Sequence, residues 1–470
     1  MSAPQSFENS PGTAPDRVLS TLNQDGTRRV VRPEVARGRF YRRRLLVAWS
    51  LIGLFVLLPF VRVAGKPAFL FDVIHRRFTF FGATFLPTDT VLLMLLLLTI
   101  FLTVFFLTAL FGRVWCGWSC PQTVYMEFVF RPIERLLEGN RQKQLALDQK
   151  GGWQPKRILK FVIFALLSFA VANIFLAWFV GVEVLHQWMA QSPMQHPAGF
   201  LIVGATSSLM FIDFAWFREQ MCVVACPYAR IQSALLDRNS LIVAYDVSRG
   251  EPRGKLQRVQ TTDLKIGDCI DCKACVYTCP TNIDIREGLQ MECISCTQCI
   301  DACDTVMEKI HKPIGLIRYA SEAKMVTGKG KILRTRVILY PLAILLVGSA
   351  LGYLASHRAV AEVTLLRGIG APFTQAPDGT VTNQIRLKIQ NRATETRSFH
   401  LELHHAAGLT WVAPENPLQV PADQAVTTTI FVQSPPGAIQ GERPIAIGVN
   451  DGTDFAAELP FRLLGPGGQK

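Results

Sequence analysis

Eight of the twelve cysteines fall into two matched runs, and their spacing predicts iron–sulfur clusters. Each run has the spacing C-x2-C-x2-C-x3-C, as CIDCKACVYTC in the first and CISCTQCIDAC in the second. In bacterial ferredoxins with this spacing, three cysteines of one run and the last cysteine of the other hold each [4Fe–4S] cluster. The sequence therefore predicts two clusters, one held by Cys269, Cys272, Cys275 and Cys303 and the other held by Cys279, Cys293, Cys296 and Cys299.

A zinc ribbon is the alternative interpretation of C-x2-C pairs. A ribbon uses four ligands, whereas this stretch supplies eight in two equal runs, so the spacing favours clusters. Pro280 follows the first run, as the ferredoxin pattern requires. Asp304 stands at the equivalent position after the second run, which is a departure from the pattern.

The other four cysteines form two pairs with the spacing C-x3-C-P, namely Cys116 with Cys120 and Cys222 with Cys226. Each pair follows two long apolar segments, so the chain contains two copies of one arrangement. Proline disfavours helix at the residue before it and suits the first position of a helix. We therefore expect helices to begin after Cys120 and Cys226, with a depressed thiol pKa at these helix starts.

Three interpretations of these four cysteines remain open. We favour a soft-metal or redox site that faces the ferredoxin domain, because thiolates bind Cu(I) much better than they bind hard ions. A third [4Fe–4S] cluster held by all four cysteines is the first alternative. The second is that they are small buried side chains that only pack the helices together.

The elements that must position these cysteines are apolar segments long enough to cross a bilayer. Nearly half of the residues, 49%, are hydrophobic, and they are concentrated in runs of about 20. The sequence predicts an α-helical integral membrane protein whose five membrane-spanning helices lie at about Leu45–Ala64, Asp89–Phe111, Ile158–Val180, Ala198–Phe217 and Val337–Ser356.

The distribution of lysine and arginine predicts the orientation of these spans. Basic residues crowd the approach to the first span and the loop after the second, whereas residues 181–197 contain none. We therefore expect the N-terminus and all twelve cysteines on the cytoplasmic side of a bacterial inner membrane, and the C-terminal segment on the periplasmic side. The net charge of +13 then serves as anchoring to anionic lipid rather than to nucleic acid.

Two polar features accompany the apolar segments. Residues 121–138 have the pattern of a helix lying in the membrane interface. Its predicted apolar face carries Val124, Phe128 and Leu136, and its predicted polar face carries Glu127, Arg131, Glu134 and Arg135. Asp213 lies just inside the fourth span. We expect it either to donate protons coupled to electron flow or to pair with Arg218.

After the fifth span the sequence changes to short alternating segments separated by turn residues. NQIRLKIQN, SFHLELH, VTTTIFVQS and PIAIGVN have this pattern, which is typical of a β-sandwich of roughly 100 residues. In the second segment Phe399, Leu401 and Leu403 share one face, and His400, Glu402 and His404 share the other. We expect the polar face to be solvated rather than to bind metal. We also expect His186, Met189, Met194 and His196 to be ordinary interface residues rather than copper ligands.

The predicted organisation has five parts. They are a flexible basic cytoplasmic tail (1–44), a four-helix membrane region with two C-x3-C-P loops (45–217), a cytoplasmic 2[4Fe–4S] ferredoxin domain (218–336), a fifth membrane helix (337–356) and a periplasmic β-sandwich (357–470).

Together these features resemble the cytochrome c oxidase accessory protein family CcoG, also called FixG or RdxA. The resemblance rests on GRVWCGWSCPQTV, FREQMCVVACPYARIQ, GDCIDCKACVYTCPTNIDIREG and ECISCTQCIDACDTVM, and it extends over nearly the whole chain. It implies a C-terminal immunoglobulin-like domain, clusters on the ferredoxin cysteines and copper on the C-x3-C-P cysteines. It also implies a role in the maturation of cbb3-type oxidases, with reduction of Cu(II) to Cu(I) as the chemistry.

The resulting prediction is a membrane iron–sulfur protein that reduces Cu(II) at Cys116, Cys120, Cys222 and Cys226. Its expected partners are membrane lipid, an electron donor that the sequence does not identify, and copper-delivery and oxidase assembly factors. One alternative is a quinol-linked membrane ferredoxin subunit that exchanges electrons with a periplasmic reductase. The other is a non-enzymatic assembly scaffold with structural clusters.

Overall fold

The structure is a computed structural model. It describes residues 17–467 except 24, 26, 64, 74–76, 82, 86–89, 153, 238, 256–265, 328–333, 358, 394 and 423. Residues 1–16 of the predicted tail and the predicted start of the second span at Asp89 lie outside the described residues. The chain divides into two compact units, Met1–Ala350 and Leu351–Lys470.

Long helices dominate the first unit. The α-helices are α1 (Arg39–Leu57), α2 (Thr90–Phe111), α3 (Val114–Trp118), α4 (Pro121–Tyr125), α5 (Arg131–Glu138), α6 (Arg141–Lys150), α7 (Pro155–Val180), α8 (Val182–Ala190), α9 (Pro197–Ile212), α10 (Pro227–Leu235), α11 (Val247–Gly250), α12 (Ala274–Tyr277), α13 (Gln298–Lys309), α14 (Glu322–Thr327) and α15 (Thr335–Ser356). Turns of 3₁₀ helix lie at Leu58–Phe60 and Ile285–Glu287, and π-helical turns lie at Met126–Phe130, Asp213–Phe217 and Met221–Ala225.

The described strands of the first unit have at most four residues, whereas the longest strand of the second unit has 11. They are β1 (Arg17–Leu19), β2 (Leu22–Asn23), β3 (Arg62–Val63), β4 (Lys66–Pro67), β5 (Phe69–Asp72), β6 (Arg77–Phe80), β7 (Ala83–Phe85), β8 (Ile242–Tyr245), β9 (Ile317–Ala320), β10 (Ala361–Arg367), β11 (Thr374–Gln375), β12 (Val381–Asn391), β13 (Arg397–His404), β14 (Thr410–Val412), β15 (Leu418–Val420), β16 (Ala425–Ser434), β17 (Glu442–Asn450) and β18 (Ala456–Leu464).

Five helices of the described chain are long and apolar enough to cross a membrane, which confirms the predicted number. We call them spans 1 to 5: Arg39–Phe60, Thr90–Phe111, Pro155–Val180, Pro197–Phe217 and Thr335–Ser356. Span 1 begins six residues earlier than predicted. The carboxylate of Asp301, on α13, accepts hydrogen bonds from the backbone N–H groups of Phe40 (3.1 Å) and Tyr41 (2.7 Å). These bonds satisfy two of the donors that every helix start leaves open, so the basic residues before Leu45 become helical.

The prediction of a flexible tail is wrong for the residues immediately before span 1. Arg32 is 9% exposed and reaches Glu134 and Asp148. The backbone N–H of Glu34 donates to the carbonyl of Tyr277 at 2.9 Å. This segment therefore packs against both the membrane region and the ferredoxin domain, because its arginines find buried carboxylates there.

The ferredoxin domain is inserted between spans 4 and 5 and contains a small sheet of its own. β8 and β9 pair antiparallel, with Ile242 opposite Ala320 and Tyr245 opposite Ile317. Apolar side chains of the two strands and of α13 form a core together with several of the cysteines. The two cysteine runs are thereby held on one packed support.

The second unit is a β-sandwich, as predicted. One sheet has the order β10-β12-β16-β14, with β11 paired to β12, and the other has the order β15-β13-β17-β18. Phe399 and Leu401 are buried between the sheets, whereas His400, Glu402 and His404 are exposed. The period of two in β13 therefore predicted the correct inner face.

Candidate iron–sulfur and thiol sites

The first ferredoxin ligand set surrounds one cavity. Cys269, Cys272, Cys275 and Cys303 line it together with apolar residues such as Met307 and Leu316. Four thiols around an apolar hollow provide the sulfur ligands and the low-polarity surroundings that a [4Fe–4S] cluster needs.

The second set surrounds another cavity. Cys279, Cys293, Cys296 and Cys299 line it, and Cys275 lies in the wall that both cavities share. Cys279 thus joins the second run and Cys303 joins the first, which is the exchange of fourth cysteines that the sequence predicts. The ligand roles themselves remain predictions.

Backbone geometry repeats between the two runs. The residues before and after the second cysteine of each run adopt left-handed conformations, with φ of 55° at Asp271 and 57° at Lys273, and of 54° at Ser295 and 63° at Thr297. Each such residue costs roughly 1–2 kcal/mol when it is not glycine. We infer that the matched strain is retained because it turns successive thiols toward one point.

The two runs differ where the sequence departs from the ferredoxin pattern. α12 ends at Tyr277, before Cys279 and Pro280, whereas α13 continues through Cys303 to Lys309. Without a proline after Cys303 nothing stops the helix. Asp304 accepts a hydrogen bond from the backbone N–H of Gly315 at 2.8 Å and pairs with Arg39 at 3.3 Å. Asp304 therefore fastens the second run to span 1.

A buried cation with two open donor atoms lies beside the second cavity and fits an anionic cluster there. Arg44 is 1% exposed, and among the described residues neither its Nη1 nor its Nη2 atom has a hydrogen-bond partner. Burial raises the pKa of Cys296 to about 11, and the positive charge of Arg44 partly opposes that rise. A cluster with four thiolates carries net negative charge, so it would compensate the Arg44 charge that the protein alone leaves buried.

The structure brings the four C-x3-C-P cysteines into one neighbourhood, although it does not arrange three or more of these described side chains as ligands of a single metal ion. Burial raises the pKa of Cys222 to about 12, and the nearby thiolates of Cys120, Cys116 and Cys226 add to that rise. Like charges shift pKa values this way only at short range. The two hairpins, more than 100 residues apart in sequence, thus supply one thiol site.

This thiol site adjoins the second cluster cavity through backbone contact. Cys116 packs against Ile294 and Cys296. A Cβ atom added to Gly117 would lie 2.6 Å from the carbonyl oxygen of Ile294 and 2.8 Å from the Cα atom of Cys296. Only glycine permits so close an approach.

Two further residues at the thiol site were not predicted from the sequence. The Sγ atom of Cys116 donates to Oε1 of Gln232 at 3.0 Å, and Gln232 is 1% exposed. Arg113 is 3% exposed, donates to the carbonyl of Met291 and lowers the pKa of Cys116, Cys222 and Cys293 against the effect of burial. Its place three residues before Cys116, in GRVWC, was the available signal for Arg113. Gln232 had none, because its role depends on tertiary packing.

The prediction of a depressed pKa at the helix starts is wrong for Cys120. The residue does precede a helix, since Pro121 occupies the first position of α4. Burial nevertheless raises its pKa, and the N–H groups of Thr123 and Gln122 oppose that rise only in part. The desolvation of a thiolate outweighs the favourable helix terminus here. Binding of a metal cation must therefore release protons from these thiols.

Residues 121–138 form a continuous helical segment, but its predicted polar face is wrong. Glu134 and Arg131 are 3% and 2% exposed, whereas Leu136 is 83% exposed. The charged residues join a buried network, which we call the ion-pair network. Within the described residues it consists of Glu127, Glu134, Glu138, Asp148 and Glu219 with Arg28, Arg32, Arg131, Arg157, Lys160 and Arg218.

The expected pairing of Asp213 with Arg218 is also wrong. Oδ1 of Asp213 accepts a hydrogen bond from Nε2 of Gln122 at 3.1 Å, and the guanidinium of Arg218 binds Glu134 at 2.9 Å. Gln122 belongs to the segment that follows Cys120, so Asp213 links the two cysteine hairpins. A role for Asp213 in proton transfer stays a prediction.

The outer histidines do not assemble into a metal site. Nε2 of His404 lies 3.6 Å from a carboxylate oxygen of Glu402, and both side chains are exposed. His196 contacts Gln191. In the part of the chain that the structure describes, no group of three or more His, Cys, Asp or Glu side chains is arranged to hold a single metal ion.

Comparison with known proteins covers both units. Family models described as a 4Fe–4S dicluster domain, a 4Fe–4S binding domain and the IG-like fold at the C-terminus of FixG match residues 217–322, 93–141 and 351–466. Protein RdxB of Cereibacter sphaeroides is 31% identical over 92% of this chain and 94% of its own length. Protein RdxA of the same organism is 33% identical over 80% and 82%, and the nitrogen fixation protein FixG of Rhizobium meliloti is 32% identical over 80% and 79%.

Proposed function

Because this chain belongs to the family of RdxA, RdxB and FixG, and is thus a membrane-type iron–sulfur electron-transfer protein, we propose that it reduces Cu(II) to Cu(I) for the assembly of a cbb3-type oxidase. The proposed substrate site is formed by Cys116, Cys120, Cys222 and Cys226. Copper is here the substrate. An external electron donor supplies the one electron that converts each Cu(II) to Cu(I).

One observation carries the proposal: the four thiols lie near one another beside the second cluster cavity. Cys116 packs against Cys296, and Gly117 brings its backbone against the same residue. When bound in the two cavities, [4Fe–4S] clusters supply one-electron redox chemistry. The contact through Gly117 places the thiol site within a few bonds and one van der Waals gap of a predicted cluster ligand.

The residues around the thiols favour a monovalent soft cation. Thiolate ligands select Cu(I), so they stabilise the product of the reduction over its substrate. Arg113 is a buried positive charge near Cys116, Cys222 and Cys293, and it limits how much cationic charge the site tolerates. Gln232 holds the Cys116 thiol in place through its hydrogen bond of 3.0 Å.

A third cluster at the four thiols is the second candidate. The 4Fe–4S binding domain model spans residues 93–141 and so includes Cys116 and Cys120. Four neighbouring thiols from two hairpins match the number of ligands that one more cluster needs. In that case the protein would still transfer electrons, but copper would require another site.

Paired cysteine substitutions separate these candidates. Cys116→Ser with Cys120→Ser, and Cys222→Ser with Cys226→Ser, are compared with Cys275→Ser in anaerobically purified protein. For a copper site, the two double variants abolish Cu(II) reduction and weaken Cu(I) binding, with about eight iron atoms per chain retained. Cys275→Ser is the reciprocal control: it lowers the iron content and the steady rate, and it leaves Cu(I) affinity unchanged.

Two other outcomes would contradict a copper site at these thiols. About twelve iron atoms in the unaltered protein, falling to about eight in both double variants, identifies the four thiols as cluster ligands. Normal iron content together with unchanged Cu(II) reduction in the double variants contradicts a role of these thiols in either candidate.

A further inference from the structure

A cavity lined mainly by cations lies in the first unit, apart from the cysteine sites. Its volume is about 360 Å³, and its charged lining residues are Arg28, Arg32, Asp148, Arg157, Lys160 and Arg218. Five cationic side chains therefore face one carboxylate. We call this space the basic cavity.

The basic cavity has rigid walls. The side chains of Arg32, Lys160 and Arg218 are 6%, 6% and 4% exposed. All three bind the carboxylate of Glu134, which lies behind the cavity wall rather than in it. Because their positions are fixed by this shared partner, their remaining N–H donors are preorganised before any ligand binds.

The lining cations outnumber the carboxylates that bind them by one. Asp148, in the lining, is shared between Arg32 and Arg157. Glu134, Glu138 and Glu219 bind the cations from outside the lining. Arg28 and Arg157 are 18% and 19% exposed, so they form the accessible part of the lining. Arginine presents several donors in a fork that fits the oxygens of phosphate.

The position of the cavity relates it to the membrane boundary. Arg157, Lys160 and Phe161 lie in the first two turns of span 3, and Ala215 and Trp216 lie at the end of span 4. Trp216 is 66% exposed, and the nearby apolar residues Leu159 and Ile212 are each 49% exposed. Exposed tryptophan at the end of a span marks the headgroup level of a bilayer.

We propose that the basic cavity binds the phosphate of an anionic phospholipid headgroup. The cations would bind the phosphate oxygens, and the acyl chains would lie along the exposed apolar surfaces of spans 3 and 4. A soluble phosphate compound shares the headgroup chemistry, but it has no use for the apolar surface beside the cavity. The lipid therefore accounts for both the charge and the position of this site.

The test uses the full-length protein in detergent, with phosphatidylglycerol as the probe and phosphatidylcholine as the neutral comparison. Lipid binding is followed by native mass spectrometry and by the thermal unfolding midpoint. Arg157→Gln removes a cavity cation that is partly exposed and has one carboxylate partner. Lys156→Gln is the matched control, because Lys156 is exposed, lies one residue away and carries the same charge.

We expect at least one phosphatidylglycerol molecule to be retained and to raise the unfolding midpoint, with no such effect of phosphatidylcholine. Arg157→Gln should weaken the apparent affinity about five-fold, the usual effect of one basic residue near anionic lipid, and Lys156→Gln less than two-fold. Equal losses in the two variants, or no preference for phosphatidylglycerol in the unaltered protein, would overturn the proposal. Inorganic phosphate that stabilises the protein as strongly as the lipid would overturn the lipid source.

Discussion

Arg44 combines two properties that rarely occur together, a full positive charge and almost complete burial. Its Nε atom donates to the carbonyl of Gly117 at 2.9 Å, and its guanidinium carbon lies 5.3 Å from the ring centre of Phe128. It therefore joins the thiol loop, span 1 and the second cluster cavity. A buried charge without an ionic partner is strongly unfavourable unless a counter-charge is supplied. A cluster in that cavity would supply negative charge, and its reduced form would supply more negative charge than its oxidised form.

Arg44→Gln should accordingly lower the reduction potential of one cluster and leave the other unchanged. Removing a nearby buried cation makes the addition of an electron to the cluster less favourable. We expect the reduction potential to fall by roughly 50–100 mV, the effect of a charge about 10 Å away in a medium of intermediate dielectric constant. The measurement is a redox titration followed by electron paramagnetic resonance. Arg43→Gln is the control, because Arg43 is exposed and removes the same charge. A shift of the same size in both variants would mean that the reduction potential responds only to the net charge of the protein, and it would contradict a specific effect of Arg44.

At the scale of elements, the helical segment 121–138 illustrates how charge can hold membrane helices together. Glu134 binds Arg32 from the N-terminal segment, Lys160 from span 3 and Arg218 from the end of span 4. Burial alone would raise the pKa of Glu134, but the positive charges of Arg218, Arg32 and Lys160 overcome this effect and hold the pKa well below its usual range. The carboxylate of Glu134 thus connects three separate elements of the first unit.

Glu134→Gln should destabilise the protein by about 3–5 kcal/mol at pH 7, because three buried cations lose their common partner. A carboxyl group whose pKa is lower in the folded state stabilises the fold above its unfolded-state pKa, about 4.3, and loses that contribution as the pH falls. The gap between the variant and the unaltered protein should therefore narrow by about 1.4 kcal/mol per pH unit below pH 4.3. Chemical denaturation at several pH values measures the gap.

Glu308→Gln is the matched control for this experiment. Glu308 is exposed on α13, so the substitution should change stability by less than about 0.5 kcal/mol at any pH. If Glu134→Gln unfolds no more easily than Glu308→Gln at pH 7, the ion-pair network does not stabilise the fold.

The contrast between this segment and the cysteine runs shows what sequence can predict. The grouping of Cys279 with Cys293, Cys296 and Cys299 follows from short-range spacing, because local turns point the thiols together. The inner face of β13 follows from a period of two. The burial of Glu134 depends on Arg32 and Arg218, which lie 102 and 84 residues away. An amphipathic pattern in 121–138 contains no information about those partners.

The same reasoning applies to Gln232 and to the contact of Gly117 with Cys296. Both depend on two hairpins and an inserted domain meeting in space, and no local pattern encodes that meeting. The five spans, in contrast, were predictable because length and hydropathy are properties of each segment alone.

For the whole molecule, all twelve cysteines lie in the first unit and none lies in the β-sandwich. We expect the cysteine sites on the cytoplasmic side and the sandwich on the periplasmic side, since the basic loops favour that orientation. Reporter fusions after Lys150 and near Gly330 should score as cytoplasmic, and fusions near Gly370 as periplasmic. A periplasmic score after Lys150 would place the thiol site in an oxidising compartment and contradict the proposed mechanism.

The carboxylate that begins span 1 also imposes an order on biosynthesis. Asp301 is made 261 residues after Phe40, whose N–H it binds. At typical rates of synthesis this interval is roughly ten to fifty seconds. During that time the backbone N–H groups at the start of the first membrane helix lack their native carboxylate, and they gain it only after the second cysteine run has left the ribosome and folded. Insertion of the iron–sulfur clusters and completion of the membrane region are thereby linked, so in a chain starved of iron the start of span 1 should be cleaved by proteases faster than in a chain with its clusters.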